Sequence, residues 1–129
     1  MEIKMIKGNQ LTNEIIGSAI EVHRNLGPGL LESTYEECMA FELQGRSLVV
    51  KRQHEIPVLY KGRKLEQNYR IDLLVNNQVI VELKSVNKIE PIHNAQLLTY
   101  LKLSKKKYGL LLNFNVPVMR QGIKRILNG

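Results

Sequence analysis

Between residues 69 and 85 the chain reads YRIDLLVNNQVIVELKS, two aliphatic runs about a polar turn, with an aspartate, a glutamate and a lysine set among them. Two such runs make a hairpin, and its register is not free, because a slip of one residue sends every side chain to the opposite face. A two-residue Asn76-Asn77 turn would set Val75 against Gln78 and Asp72 against Val81, and would leave Glu82 opposite Ile71. A three-residue loop of Asn76, Asn77 and Gln78 instead sets Val75 against Val79, Leu73 against Val81 and Ile71 against Leu83, apolar against apolar throughout. The second register is therefore expected. It brings Asp72 opposite Glu82, roughly 5 Å away at Cβ. Lys84, two residues further on, points to the same face.

A buried charge is costly unless it is paired, hydrogen-bonded or metal-bound. Two carboxylates this close repel, and at neutral pH either a proton or a cation removes the repulsion. A hard divalent ion such as Mg²⁺ takes oxygen ligands of this kind. A lysine beside it can hold a scissile phosphate or a metal-bound water. The plainer account is a carboxylate-lysine salt bridge on a solvated sheet face. Three further residues add to the pattern. Gln96 and Tyr100 are four apart in a helical segment, hence on one helix face, and Glu32 follows a glycine-rich break. Singly, each is a polar edge of a packed helix or a first-turn acid that suits the helix dipole.

The remaining segments alternate in period. Leu11 and Thr12 precede NEIIGSAIEVHRNL, with Thr12 as helix cap, Leu11 stapling onto Ile16, and Ile15, Ile16, Ala19, Ile20 and His23 as the apolar stripe. Gly27-Pro28-Gly29 breaks that helix. A second helix is expected through LLESTYEECMAFELQG, facing inward through Leu31, Tyr35, Cys38 and Glu42 and stopping at Gly45. SLVVKRQ and EIPVLY read as separate strands, and KGRK as the turn into the hairpin strands. EPIHNAQLLTYLKLS returns to a helical period through Ile92, Ala95, Leu98 or Thr99, and Lys102. YGLLLNF reads as a strand buried on both faces, and VMRQGIKRIL as a short amphipathic helix or tail. The order is ααββββαβ(α), an α/β (α+β) domain with a central mixed sheet of four or five strands flanked by helices. One domain is expected over residues 1–129, with residues 1–11 as an N-terminal extension.

Charge is unevenly shared: residues 1–50 sum to −3 and residues 51–129 to +10, so the hairpin lies in the basic part. A basic surface is the usual footprint of a phosphate-backbone partner. The single cysteine, Cys38, excludes an internal disulfide and any all-cysteine metal cage. It reads as a small buried hydrophobe. His23, His54 and His93 show no metal spacing and read as structural or surface residues, with His93 near enough to Gln96 to edge a site. The start MEIKMIKGNQ has no signal-peptide core, and no apolar run approaches the roughly 18 residues of a membrane span. A cytoplasmic location without membrane contact is expected.

In Asp72, the Glu82-x-Lys84 pair, Gln96 with Tyr100, and Glu32, the chain resembles the PD-(D/E)XK nuclease superfamily. Gly29, Glu32 and Tyr35 in GLLESTY further resemble the small GxxExxY proteins, and QLLTY the QxxxY element of RecB-like members. The resemblance runs from about residue 12 to residue 126. It implies a restriction-endonuclease-like core and a nuclease dependent on Mg²⁺ or Mn²⁺, acting on nucleic acid, DNA ahead of RNA. It also implies roles for individual residues. Asp72, Glu82 and the Leu83 backbone carbonyl would bind one or two ions, and Glu32 would reach a second ion or an ordered water. Lys84 would orient the attacking water, Gln96 would hold Lys84 or that water, and Tyr100 would touch a phosphate. Arg70, Lys102, Lys105, Lys106 and Lys107 would track the nucleic-acid backbone, although a lysine-rich helix end also suits the dipole. A homodimer or a larger nuclease-helicase type assembly would supply recognition that one small domain lacks. The competing expectation is an inactive module that keeps the fold and binds nucleic acid or a protein.

Overall fold

In the computed structural model, which describes residues 6–129, the chain runs α1 (Gly8–Leu26), α2 (Glu32–Gly45), β1 (Val50–Tyr60), β2 (Arg63–Val75), β3 (Val79–Lys84), α3 (Pro91–Ser104), β4 (Tyr108–Asn113) and β5 (Ile123–Leu127). The five strands lie in the order β1-β2-β3-β4-β5. Only β3 and β4 are parallel. Parallel neighbours need a long crossover, and α3 supplies it. The expected mixed sheet flanked by helices is therefore present.

Two cores sandwich the sheet. On one face Leu11, Ile15, Ala19, Tyr35, Met39 and Leu43 of α1 and α2 pack on Leu73, Val81, Leu83, Leu110 and Leu112. On the other face Leu97, Tyr100 and Leu101 of α3 pack on Ile56, Leu74, Ile80 and Leu111. Both middle strands are dry on both sides, which is why their sequences are continuous apolar runs.

Several boundaries differ from expectation. The segments SLVVKRQ and EIPVLY form one strand, β1, with no turn between them, so the order is ααβββαββ. The C-terminal segment is a 3-10 turn (Met119–Gly122) followed by an edge strand. Ile123 and Ile126, three apart, read as helical neighbours, but three apart in a strand means opposite faces. They pack into the two different cores. Helix α1 starts at Gly8, so residues 8–11 of the expected extension form its first turn; Leu11 is fully buried and Thr12 Oγ1 donates to the Asn9 carbonyl instead of capping. Residues 1–5 lie outside the described residues. The inward stripes also rotate. In α2 it is Tyr35, Met39 and Leu43, with Leu31 exposed and Cys38 half-buried; in α3 it is Leu97, Tyr100 and Leu101, with Ile92 exposed.

The turn between α1 and α2 is built for the residues it has. Gly27 and Gly29 adopt φ of 72° and 95°, values that only glycine takes at little cost. The Tyr35 hydroxyl donates to the Gly27 carbonyl at 2.6 Å and accepts from the Leu30 amide at 3.1 Å. Its ring stacks on Phe114 at the end of β4, centroids 4.3 Å apart. The buried tyrosine thus ties the glycine turn to the sheet. Tyr35→Phe keeps the stack and strands both backbone groups. It should lower unfolding free energy by about 1–3 kcal/mol, read as a shift in urea midpoint at unchanged m-value.

Candidate active site

The β2–β3 ladder pairs Val75 with Val79, Leu74 with Ile80 and Leu73 with Val81, the register of the three-residue loop. Beyond Leu73 the strands part, and side chains take over from the ladder. The Leu83 amide donates to Asp72 Oδ2 at 2.8 Å, and the Asp72 amide donates to Glu82 Oε1 at 3.3 Å. Backbone groups inside a protein need partners, and here two carboxylates serve. Asp72 and Glu82 do face each other across this opening.

The neighbouring strand kinks at the same level. Gln53, a non-glycine residue, has φ of 50°. Normal alternation would put residues two apart on one face. Instead Leu73 packs with α1 and α2 while Ile71 packs with α3. Arg52 likewise reaches Glu36 on α2, whereas His54 lines a cleft beside Ile56, Ile71 and Leu103. The expected contact of Ile71 with Leu83 is therefore absent, for the two side chains lie on opposite sides of the sheet.

Glu82 is 7% exposed. Burial first, then the charge of Asp72 and a hydrogen bond shared with it, push the Glu82 carboxyl up to about 8, against a partial offset from Lys84. The pair accordingly holds a proton at neutral pH when nothing else neutralises it. Asp72 Oδ1 also accepts from Gln53 Nε2 at 3.3 Å. The same amide nitrogen donates to Glu36, a buried acid that Arg52 holds at 3.0 Å. Lys84 is half-buried, and among the described residues its ammonium enters no ion pair. Tyr100 is buried, and desolvation, then Glu82, Tyr69 and Asp72, push its hydroxyl up. Its ring centroid is 6.1 Å from that of Tyr69.

The fold thus brings Asp72, Glu82, Lys84 and Tyr100 together. Gln96 is exposed one helical turn before Tyr100. Glu32 stands apart from the acid pair: its Oε2 accepts from the Ser85 amide at 3.2 Å, where β3 ends, and Ser85 Oγ donates to the Leu30 carbonyl. Among the described residues no three His, Cys, Asp or Glu side chains are grouped to hold a metal. What remains is two carboxylates and the Leu83 carbonyl. That set suits Mg²⁺, which takes one or two carboxylates and keeps several waters, and a cation would replace the proton on Glu82.

The expected phosphate-tracking residues divide. Arg70 is exposed near the site and pairs with Glu55 at 3.3 Å. Lys105, Lys106 and Lys107 lead into β4, whose Tyr108 pairs with Val79 while Asn113 pairs with Lys84. They lie at the far end of β3 from Lys84, roughly 17 Å along the strand, as does the last turn of α3 with Lys102. Lys106 there donates to Asn77 in the hairpin turn at 3.2 Å. Two of the histidines are structural: His23 Nε2 bonds the Val116 carbonyl at 2.8 Å, and His93 Nδ1 accepts from the Glu90 amide in a capping box. Glu36, Gln53 and Tyr69 belong to the neighbourhood and were not singled out from sequence. Reading β1 as one strand would have set Gln53 opposite Asp72, and Glu36 lies one helical turn after Glu32.

A family model of the PD-(D/E)XK nuclease superfamily matches residues 9–126. No curated protein matches the chain. No solved structure matches it either.

The raised carboxyl makes stability pH-dependent. In the unfolded chain Glu82 loses its proton near 4.5, in the fold near 8, so the contribution is whole below the lower value and is lost as pH rises through the upper one. In EDTA, unfolding free energy should fall between about pH 5 and pH 8 by a few kcal/mol more in the wild type than in Glu82→Gln. Parallel pH profiles of the two proteins in urea titrations would exclude the shared proton.

Proposed function

The chain belongs to the PD-(D/E)XK nuclease superfamily, and on that premise we propose that it hydrolyses phosphodiester bonds of nucleic acid, DNA in the first instance, with Mg²⁺ or Mn²⁺ held by Asp72, Glu82 and the Leu83 carbonyl. The observation that carries this reading is the buried Glu82 carboxyl, pushed up to about 8 beside Asp72 and within reach of the Lys84 charge. Such an arrangement, held by a proton in the absence of a cation, gives a divalent cation two acids to neutralise. Within the superfamily, the resemblance of Gly29, Glu32 and Tyr35 to the GxxExxY proteins, and of Gln96 with Tyr100 to the QxxxY branch, supports a place among them. The left-handed Gly29 and the two hydrogen bonds of Tyr35 give that motif a physical reason.

A bound ion supplies charge stabilisation at phosphorus and lowers the pKa of a coordinated water. The residues do the rest. The Lys84 ammonium, which enters no ion pair among the described residues, orients a scissile-phosphate oxygen or the attacking water. Tyr100, whose hydroxyl is pushed up by its surroundings, keeps its proton and donates it in a hydrogen bond to phosphate. Gln96, on the same helix, orients the water or Lys84. Glu32 acts as a positioning residue: by holding the Ser85 amide it fixes the chain leaving Lys84.

Cleavage of mixed DNA and RNA should require Mg²⁺ or Mn²⁺ and fall by about 100-fold or more in Lys84→Ala. Mn²⁺ should raise the melting temperature of wild type, by the equivalent of about 2.7 kcal/mol at 100 times Kd, and leave that of Asp72→Asn unmoved. Nucleic-acid binding without cleavage and without a metal response would replace the enzyme by the inactive binding module.

A further inference from the structure

β2 pairs with β3 only over Leu73–Val75, so the rest of the β1–β2 hairpin runs on beyond the sheet. It leaves at the end where β3 finishes, the end that carries Lys84, because β2 and β3 are antiparallel. Pairing continues outward through Pro57 with Asn68, Leu59 with Lys64 and Tyr60 with Arg63. Residues 63–70 are exposed without exception. Over residues 57–70 this arm carries four cationic side chains and one acid, so a polyanion meets it with little repulsion.

One side of the arm continues the site. Ile56 sits in the core beneath α3, and its cross-strand partner is Tyr69, whose ring leans on Tyr100. The register shifts between Pro57 and Leu59, where two steps of β1 pass four of β2; counted along each strand, Tyr60 stands four residues from Ile56 and Arg63 six from Tyr69, both even separations. Tyr60 therefore shares the face of Ile56, and Arg63, its partner, shares it too. At the tip the Lys61 ammonium lies 5.4 Å from the Tyr60 ring centroid. Tyr60 is 60% exposed and Tyr69 43%. From Tyr69 to Arg63, opposite Ile56 to Tyr60, the arm covers roughly 13 Å.

Exposed aromatic rings interleaved with cations suit a single strand, whose bases stack on the rings while the cations neutralise its phosphates. A duplex hides its base faces and gains nothing from the tyrosines. We propose that the site-facing side of this arm binds a single-stranded segment of nucleic acid running outward from Lys84 and Tyr100, with bases on Tyr69 and Tyr60 and phosphates on Lys61 and Arg63. The proposal rests on the nuclease reading of the site and adds to it the form of substrate and the direction of its path.

The test is fluorescence anisotropy in Mg²⁺, in a Lys84→Ala background that blocks cleavage, with single-stranded oligonucleotides of about 4 and about 16 nucleotides and a duplex of the longer sequence. The longer single strand should bind more tightly than either other probe. Adding Tyr60→Ala with Arg63→Ala should weaken it about tenfold and reduce the log-log salt slope by about 0.7, with the short oligonucleotide unaffected. Tyr60→Phe, which keeps the ring, should bind as the background does. Unchanged binding of the long strand would overturn the proposal, as would equal losses on long and short probes, a preference for duplex, or self-association that the double variant abolishes, which would make the arm a contact between copies. If the intact chain cleaves and the arm variants cleave and bind as it does, only the arm reading falls. If it binds no nucleic acid at all, the nuclease reading falls with it.

Discussion

Everything at the site follows from the opening of the sheet after Leu73 and Val81. A sheet held together to its end would pair Ile71 with Leu83 through their backbones and leave the Asp72 and Glu82 carboxylates repelling across a rung. In this chain the strands part, and each acid turns back to accept an amide that the ladder no longer serves. Opening the sheet is unfavourable only if the freed groups stay unpaired. Asp72 and Glu82 are thus structural and chemical at once: they close the gap in the sheet, and in doing so they converge. The kink at Gln53 in β1 is the matching adjustment, since β1 must follow β2 as it turns.

The end of β3 is then braced from several sides. Glu32 holds the Ser85 amide, and Asn113, buried at the end of β4, accepts from the Val86 amide and donates to the Val86 carbonyl. Phe114 continues β4 into the stack with Tyr35, and Tyr35 holds the glycine turn that precedes Glu32. Lys84 leaves the sheet between these contacts, so its backbone is fixed although its ammonium is not. Among the described residues the Lys84 ammonium enters no ion pair, which on the proposed reading leaves it for a phosphate.

The hairpin was legible because its information is local. Apolar residues at period two, a short polar turn and the prohibition on slipping a register determine Asp72 opposite Glu82 without reference to the rest of the chain. The parts that were not legible depend on partners distant in sequence. Ile123 and Ile126 fit a helix or a two-faced strand equally well until both cores exist. The change of face between Ile71 and Leu73 has no trace in the pattern, because both residues are aliphatic and both are buried. The lysine run is a different case. A crossover that returns to a parallel strand must bring the chain back to the end where the first strand began, so Lys105–Lys107 were bound to lie away from Lys84 once the β3–α3–β4 order was read.

The two cores also separate the charges by function. The acid-rich first 50 residues form α1 and α2, which close one face of the sheet and send Glu32 and Glu36 to its edge. The cationic second part forms the arm and the other face. A polyanion is repelled by the first surface and drawn to the second, and the acid pair lies where the two meet, at the end of β3. On the proposed reading, a proton and a divalent cation would compete there for the same buried oxygens. Because Glu82 holds its proton to about pH 8, loading a cation near neutrality must expel roughly one proton. The protonated pair is therefore less negative than its two acids suggest, which on the proposed reading lessens its repulsion of a polyanion.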